Sequence, residues 1–151
     1  MKIFFYCFLL INAVSSAQSL TIMNSSNVRV RYGVGAAEMN CTHSVTRDGL
    51  LINANTVEFD RVTFSDFGPQ NWYVNSNPVS PAFCETKYGL PNFSIVKFQY
   101  LSPGGSVLAA GYVTLNDPDN CSSPAQISWT NGGYSATMTR DSDGNIVVYF
   151  D

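Results

Sequence analysis

The chain has 151 residues and a mass of 16.5 kDa, which is room for one domain. Hydrophobic residues make up 45%, aromatics 13% and charged residues only 13%, about half of the ~25% usual for soluble proteins. That composition excludes a disordered chain and a heptad coiled coil. The net charge of −3, with eight scattered cations, argues against a nucleic-acid footprint and against polybasic attraction to lipid.

Residues 1–17 read MKIFFYCFLLINAVSSA. Lys2 precedes a twelve-residue apolar core from Ile3 to Val14, and Ser15-Ser16-Ala17 offers small residues for cleavage before Gln18. This is the pattern of a secretory signal peptide; a membrane span needs ~20 apolar residues. The expectation is a single domain over residues 18–151, delivered to an extracellular or periplasmic space. No later stretch is apolar for long enough to span a bilayer.

From Leu20 onward the pattern has a period of two, the signature of half-buried strands. Leu20-Thr21-Ile22-Met23 and Val28–Val34 are predicted as a hairpin joined by Asn24–Asn27, with Val28, Val30, Tyr32 and Val34 on one face and Arg29 and Arg31 on the other. Residues 35–49 read as a loop, and Leu50–Asn53 as a short strand. Val57–Phe64 is a strand whose alternation breaks near Asp60, which suggests a bulge. Phe67–Asn92 has no sustained period and four of the seven prolines, so it reads as one long excursion.

The last third is clearer. Ser94–Leu101 sets Val96, Phe98 and Tyr100 against Lys97 and Gln99. Ser102-Pro103-Gly104-Gly105 turns the chain into Ser106–Leu115. Asn116–Asn120 breaks that strand, and Ala125–Thr130 follows with Ile127 and Trp129 on one face. Asn131-Gly132-Gly133 is a hairpin turn. Tyr134, Ala136 and Met138 share the next face, Asp141–Asn145 turns, and Ile146–Phe150 ends the domain. The reading is all-β: an antiparallel two-sheet β-sandwich, jelly-roll-like, with eight to ten strands and no capped amphipathic helix. The opening strand, Asn-rich turn and strand, followed by Leu51–Phe59, resembles the start of secreted sandwiches such as thaumatin-like and aegerolysin-like proteins. The similarity spans about a quarter of the chain, includes no diagnostic residue and lacks the cysteine density of thaumatin-like proteins.

Cys41, Cys84 and Cys121 remain after cleavage. In an oxidising compartment two of them are expected to pair, and spacing does not choose among the three pairings. The odd thiol is expected to be buried and inert. No C-x-x-C occurs and His43 is the only histidine, so zinc is not expected.

Asp141, Asp143 and Asn145 resemble the first half of a calcium loop, but the bidentate Glu never arrives; a hairpin turn explains the same residues, and no cofactor is expected. Cys41 and His43 offer a nucleophile and a base, without any known Cys/His signature around them. A carboxylate pair for glycoside hydrolysis is set by space, and nothing in the sequence singles one out. Four sequons, at Asn24, Asn40, Asn92 and Asn120, are about what the composition gives by chance.

The excursion supplies the binding candidates Gln70, Asn71, Trp72, Tyr73, Asn75 and Tyr88. Aromatic faces bracketed by amides suit stacking on sugar rings. The competing reading is that Trp72 plugs the core and pins the loop. Trp129 is assigned to the core. The expected function is a secreted, non-catalytic sandwich that binds a carbohydrate or a protein surface through this loop. Two alternatives accompany it: a membrane-active, toxin-like sandwich that contacts lipid without spanning it, and a small hydrolase using carboxylates or Cys41 with His43.

Overall fold

The computed structural model describes residues 18–37, 44–115 and 125–151. Residues 1–17, read above as a signal peptide, and Cys41, His43, Cys121, the break at 116–120 and the sequons at Asn40 and Asn120 lie outside the described residues.

Two sheets pack face to face. The five-stranded sheet runs in the order β4 (Thr56–Arg61), β1 (Leu20–Asn24), β11 (Ile146–Phe150), β10 (Tyr134–Arg140), β9 (Ser128–Asn131). The six-stranded sheet runs β6 (Asn77–Val79), β5 (Trp72–Val74), β3 (Ser44–Ile52), β2 (Arg29–Ala37), β7 (Phe93–Leu101), β8 (Val107–Thr114). β1 and β11 are parallel, with Leu20 opposite Ile146 and Asn24 opposite Phe150. The other strand pairs are antiparallel.

The period-two pattern decides what faces inward. Leu20, Ile22, Ala136, Met138, Ile146, Val148 and Phe150 of one sheet meet Val30, Tyr32, Val34, Val96, Phe98, Tyr100 and Val113 of the other, all buried. Each large side chain enclosed in this way contributes roughly 1.5–3 kcal/mol of transfer free energy. Phe98 sits 5.1 Å from the rings of both Trp129 and Phe150, which ties the sheets together through aromatic edges. Gly111 on β8 leaves room for that indole; a Cβ there would lie 2.5 Å from the Trp129 ring.

Several expectations need correction. β1 and β2 do not form a hairpin but lie in opposite sheets. The Asn24 side chain turns the corner between them: its Nδ2 donates to the Val28 and Asn53 carbonyls at 2.9 Å each, and its Oδ1 accepts from the Ser26 hydroxyl at 2.7 Å. With both amide protons used and 2% exposure, Asn24 is no acceptor for a glycan in the folded chain.

The loop predicted over 35–49 is largely strand. β2 runs on to Ala37 and β3 begins at Ser44. Two residues, Asp48 and Gly49, stand opposite Gly33, because the register steps from Tyr32–Leu50 to Val34–Arg47. Gly49 takes φ +79°, open to glycine alone at little cost. This bulge resets the alternation of β3, which is why the sequence reads there as irregular.

The bulge expected at Asp60 is present. Asp60 has φ +52°, and the β1–β4 register skips between Ile22–Glu58 and Leu20–Arg61. The strand ends at Arg61, short of the predicted Phe64, and a 3-10 turn follows at Ser65–Phe67.

The long excursion has its own structure. β5 and β6 form a hairpin around Asn75 and Ser76, both at positive φ, and bring the strands to eleven among the described residues. Pro81–Tyr88 forms the helix α1, which was not expected. Its start is well specified: the Ser80 hydroxyl accepts from the Phe83 amide and Pro81 sits in the first turn. It buries only Pro81 and Cys84, so it carries no amphipathic stripe to read. Cys84 therefore lies on a helix, not in an irregular stretch. Ile127, expected to face the core beside Trp129, lies outside β9 and is 54% exposed.

Candidate functional site

Trp72 organises the neighbourhood of the predicted binding loop. It is fully buried, its Nε1 donates to the Phe64 carbonyl at 3.0 Å, and its ring meets Phe64 and Phe67 edge-on at 4.8 and 5.4 Å. A buried indole with its N–H satisfied is a structural plug, so Trp72 belongs to the core and presents no ring face at the surface.

Because Trp72 points inward, its neighbour Tyr73 points outward and is 43% exposed. The chain before it is held by Arg47, which is 4% exposed yet charged. The Arg47 guanidinium donates to the carbonyls of Gly68 and Gln70 at 3.1 and 2.9 Å and to Gln70 Oε1 at 2.5 Å. Burial lowers the Arg47 pKa, but a guanidinium starts so high that it stays protonated. The clamp ties residues 68 and 70 to β3 and leaves residues 69–71 facing the second half of that strand. Between them lies a cleft of about 750 Å³, lined by Arg47, Leu50, Leu51, Gln70, Asn71 and Tyr73. Three predicted residues, Gln70, Asn71 and Tyr73, are thus brought together.

The others are not. Asn75 sits exposed at the β5–β6 turn, its amide donating to the Ser44 carbonyl at 3.3 Å. Tyr88, at the end of α1, packs partly buried against the core. The Asp141 carboxylate closes its own turn, accepting from Asn145 Nδ2 at 3.1 Å and from the Asn145 and Asp143 amides at 2.9 Å each, which lowers its pKa. Among the described residues no cluster of three or more His, Cys, Asp or Glu side chains gathers to hold a metal. Cys84 is free and buried, its thiol pushed up by burial and by Glu85.

The cleft opens onto a second feature, which the sequence reading missed. The outward side of the six-stranded sheet carries a groove of about 520 Å³, lined by Arg31, Asp48, Lys97, Gln99 and Tyr112 over a floor at Gly33. Strand register sets the layout. Leu51, Arg31, Gln99 and Ala110 form one cross-strand row. Gly33, Lys97 and Tyr112 form the next, and Tyr73, Thr46, Gly35, Ile95 and Thr114 the third. Asp48 and Gly49 border both the cleft and the groove.

Gly33 has a specific job here. A Cβ at that position would lie 2.1 Å from Asp48 Oδ1 and 3.0 Å from the Arg47 carbonyl. Its absence lets the Asp48 carboxylate lie against the sheet over Gly33, in the groove that Arg31 and Lys97 also line. The same β3 bulge therefore supplies the acid on the floor and, one residue earlier, the buried clamp. Strands ~4.8 Å apart put Tyr73 and Tyr112 roughly 20 Å from each other, with 43% and 46% exposure.

Alternation did assign Arg31, Lys97 and Gln99 to solvent faces. What the sequence hid is that these faces belong to adjacent strands, since strand order is not written in any local pattern. Tyr112 lay in a run too apolar to assign to a face. Comparison with protein-family models, with curated proteins and with solved structures finds no match for this chain.

Proposed function

We propose that this chain is a non-catalytic binding module for carbohydrate, and that its ligand lies along the outward face of the six-stranded sheet. The observation that carries this reading is the pairing of two half-exposed tyrosines, Tyr73 and Tyr112, with a glycine-floored groove lined by Asp48, Gln99, Arg31 and Lys97. Aromatic faces give flat apolar area for a sugar ring, and the amide, carboxylate and cationic groups match its hydroxyls. Gln70 and Asn71 extend the polar set at the Tyr73 end. Among the described residues the groove holds one carboxylate, Asp48, whereas carboxylate-pair hydrolysis needs a second one across the bond.

In this reading residues 1–17 carry the chain out of the cytoplasm, and Cys41 pairs with Cys121, since Cys84 is free. Non-reducing and reducing peptide maps of the secreted protein test that pairing.

The binding test is co-sedimentation with insoluble polysaccharides. Replacing Tyr73 and Tyr112 together by Ala is expected to weaken pelleting more than tenfold with the urea midpoint nearly unchanged. Undiminished pelleting by the double variant would remove the proposed face. Sedimentation with liposomes instead of polysaccharide would favour the membrane-active alternative; no helix among the described residues is long and apolar enough to cross a bilayer.

A further inference from the structure

The charges on the outward face of the six-stranded sheet are unbalanced. Arg29 and Arg31 on β2 and Lys97 on β7 all project from it, and among the described residues Asp48 is its one acid. The face thus carries a net +2 on a chain whose formal charge is −3. None of these three cations forms an ion pair among the described residues; the Arg31 guanidinium reaches only Gln99 Oε1, at 3.5 Å. Elsewhere Arg61 is paired with Glu58 at 3.3 Å.

Arg31 and Lys97 are diagonal neighbours on adjacent antiparallel strands. Arg31 stands opposite Gln99 and Lys97 opposite Gly33. Such neighbours lie ~7–8 Å apart, where two like charges on one face repel. Asp48 over Gly33 is the one acid among the described residues of this face and forms an ion pair with neither cation, so the face keeps a surplus of positive charge. At physiological salt the Debye length is ~8 Å, so a ligand on this face feels the local cations more than the acidic remainder of the chain.

We infer that the ligand is an acidic polysaccharide, whose anionic groups pair with Arg31 and Lys97 while its rings lie on Tyr112 and Tyr73. The inference rests on the carbohydrate reading above and narrows it. The register supports the combination: Lys97 stands directly opposite Tyr112, so a cation and a ring face sit side by side, as an acidic sugar presents an anion beside its ring. Gln99 stands next to Arg31 and supplies neutral hydrogen bonds to hydroxyls.

The test uses polymers matched except for charge. Polygalacturonate and its methyl ester form one pair, dextran sulfate and dextran a second, and poly-glutamate serves as a non-sugar polyanion. Binding of the full-length secreted protein is measured by affinity electrophoresis at about 50 and 200 mM salt. The expected result is binding to the charged sugar polymers at least tenfold tighter than to their neutral partners. It should weaken about tenfold across the salt range, as two or three displaced counterions require. Arg31→Gln and Lys97→Gln should each weaken binding several-fold and flatten the salt response. Lys87→Gln, on α1, should do neither. Equal binding to charged and neutral sugars would overturn the inference and leave the carbohydrate reading standing. Poly-glutamate binding as tightly as polygalacturonate, insensitive to loss of Tyr73 and Tyr112, would overturn both. Binding to none of the sugar polymers would do the same.

Discussion

Trp72→Phe separates the two roles open to this residue. The substitution keeps an aromatic ring but removes the indole N–H and part of the ring volume. The Phe64 carbonyl, on a residue only 1% exposed, loses its 3.0 Å donor. An acceptor left unpaired in the interior costs roughly 1–3 kcal/mol. The edge contacts at 4.8 and 5.4 Å to Phe64 and Phe67 loosen as well, and the vacated volume adds a cavity cost. Together the loss is about 3 kcal/mol. With a urea slope of about 1.5 kcal/mol/M, the midpoint should fall by about 2 M. Urea unfolding followed by Trp129 fluorescence measures it, and polysaccharide binding in the absence of urea should be retained. A midpoint shift below about 0.5 M, or loss of binding with stability unchanged, would refute the assignment of Trp72 to the core.

Arg47→Met should cost about 2–3 kcal/mol, because three hydrogen bonds to residues 68 and 70 vanish, and should weaken ligand binding by releasing Gln70, Asn71 and Tyr73; urea titration and co-sedimentation read both effects. Gly33→Ala drives a Cβ into Asp48 Oδ1 and should cost about 1–2 kcal/mol while displacing that carboxylate from the groove floor, visible as a lower melting temperature and altered affinity. Burial of the Tyr32 and Tyr100 phenols, reinforced at Tyr32 by its 2.6 Å hydrogen bond to Glu58, raises both pKa values above the ordinary tyrosine range. Their contribution is complete below about pH 10 and is lost above it at about 1.4 kcal/mol per pH unit for each phenol, so both should ionise only as the chain unfolds in an alkaline titration. Burial works against ionisation of the Asp66 carboxyl, but the Thr63 and Val62 amides at 2.7 and 2.8 Å, with Arg61, outweigh it and lower its pKa. That contribution is present above about pH 4 and fades as pH falls through the lowered value; Asp66→Asn should flatten the acid limb of the stability profile.

How far the sequence could be read follows from what each element asks of its residues. β7 and β10 alternate and end at Gly- or Asn-containing turns, so their extents and inward faces were legible; β8 and β11 were legible as strands, but too apolar for a face to be read from the pattern. β3 was not, because Asp48-Gly49 inserts an extra residue and Arg47 occupies an inward position where the pattern expects an apolar one. α1 announced itself only through Ser80-Pro81, since a helix that buries two residues leaves no period to detect. The corner at Asn24 looked like a hairpin because Asn and Ser serve both kinds of turn; the choice is made by distant partners, Asn53 and Phe150. At the candidate site, Gln70, Asn71 and Tyr73, chosen from local composition, line one cleft, and Trp72 answered to the competing reading as a core plug. Arg31, Asp48, Lys97, Gln99 and Tyr112 come from four strands, and only the register joins them.

The most direct test of the central claim is a chemical-shift titration of the isotope-labelled protein with a soluble acidic oligosaccharide. The account predicts shifts concentrated at the amides of Arg31, Gly33, Asp48, Gly49, Lys97, Gln99 and Tyr112, spreading toward Gln70, Asn71 and Tyr73. Shifts gathered instead on β9, β10 and β11 of the other sheet, or on α1, or no shifts with any acidic or neutral oligosaccharide, would contradict it.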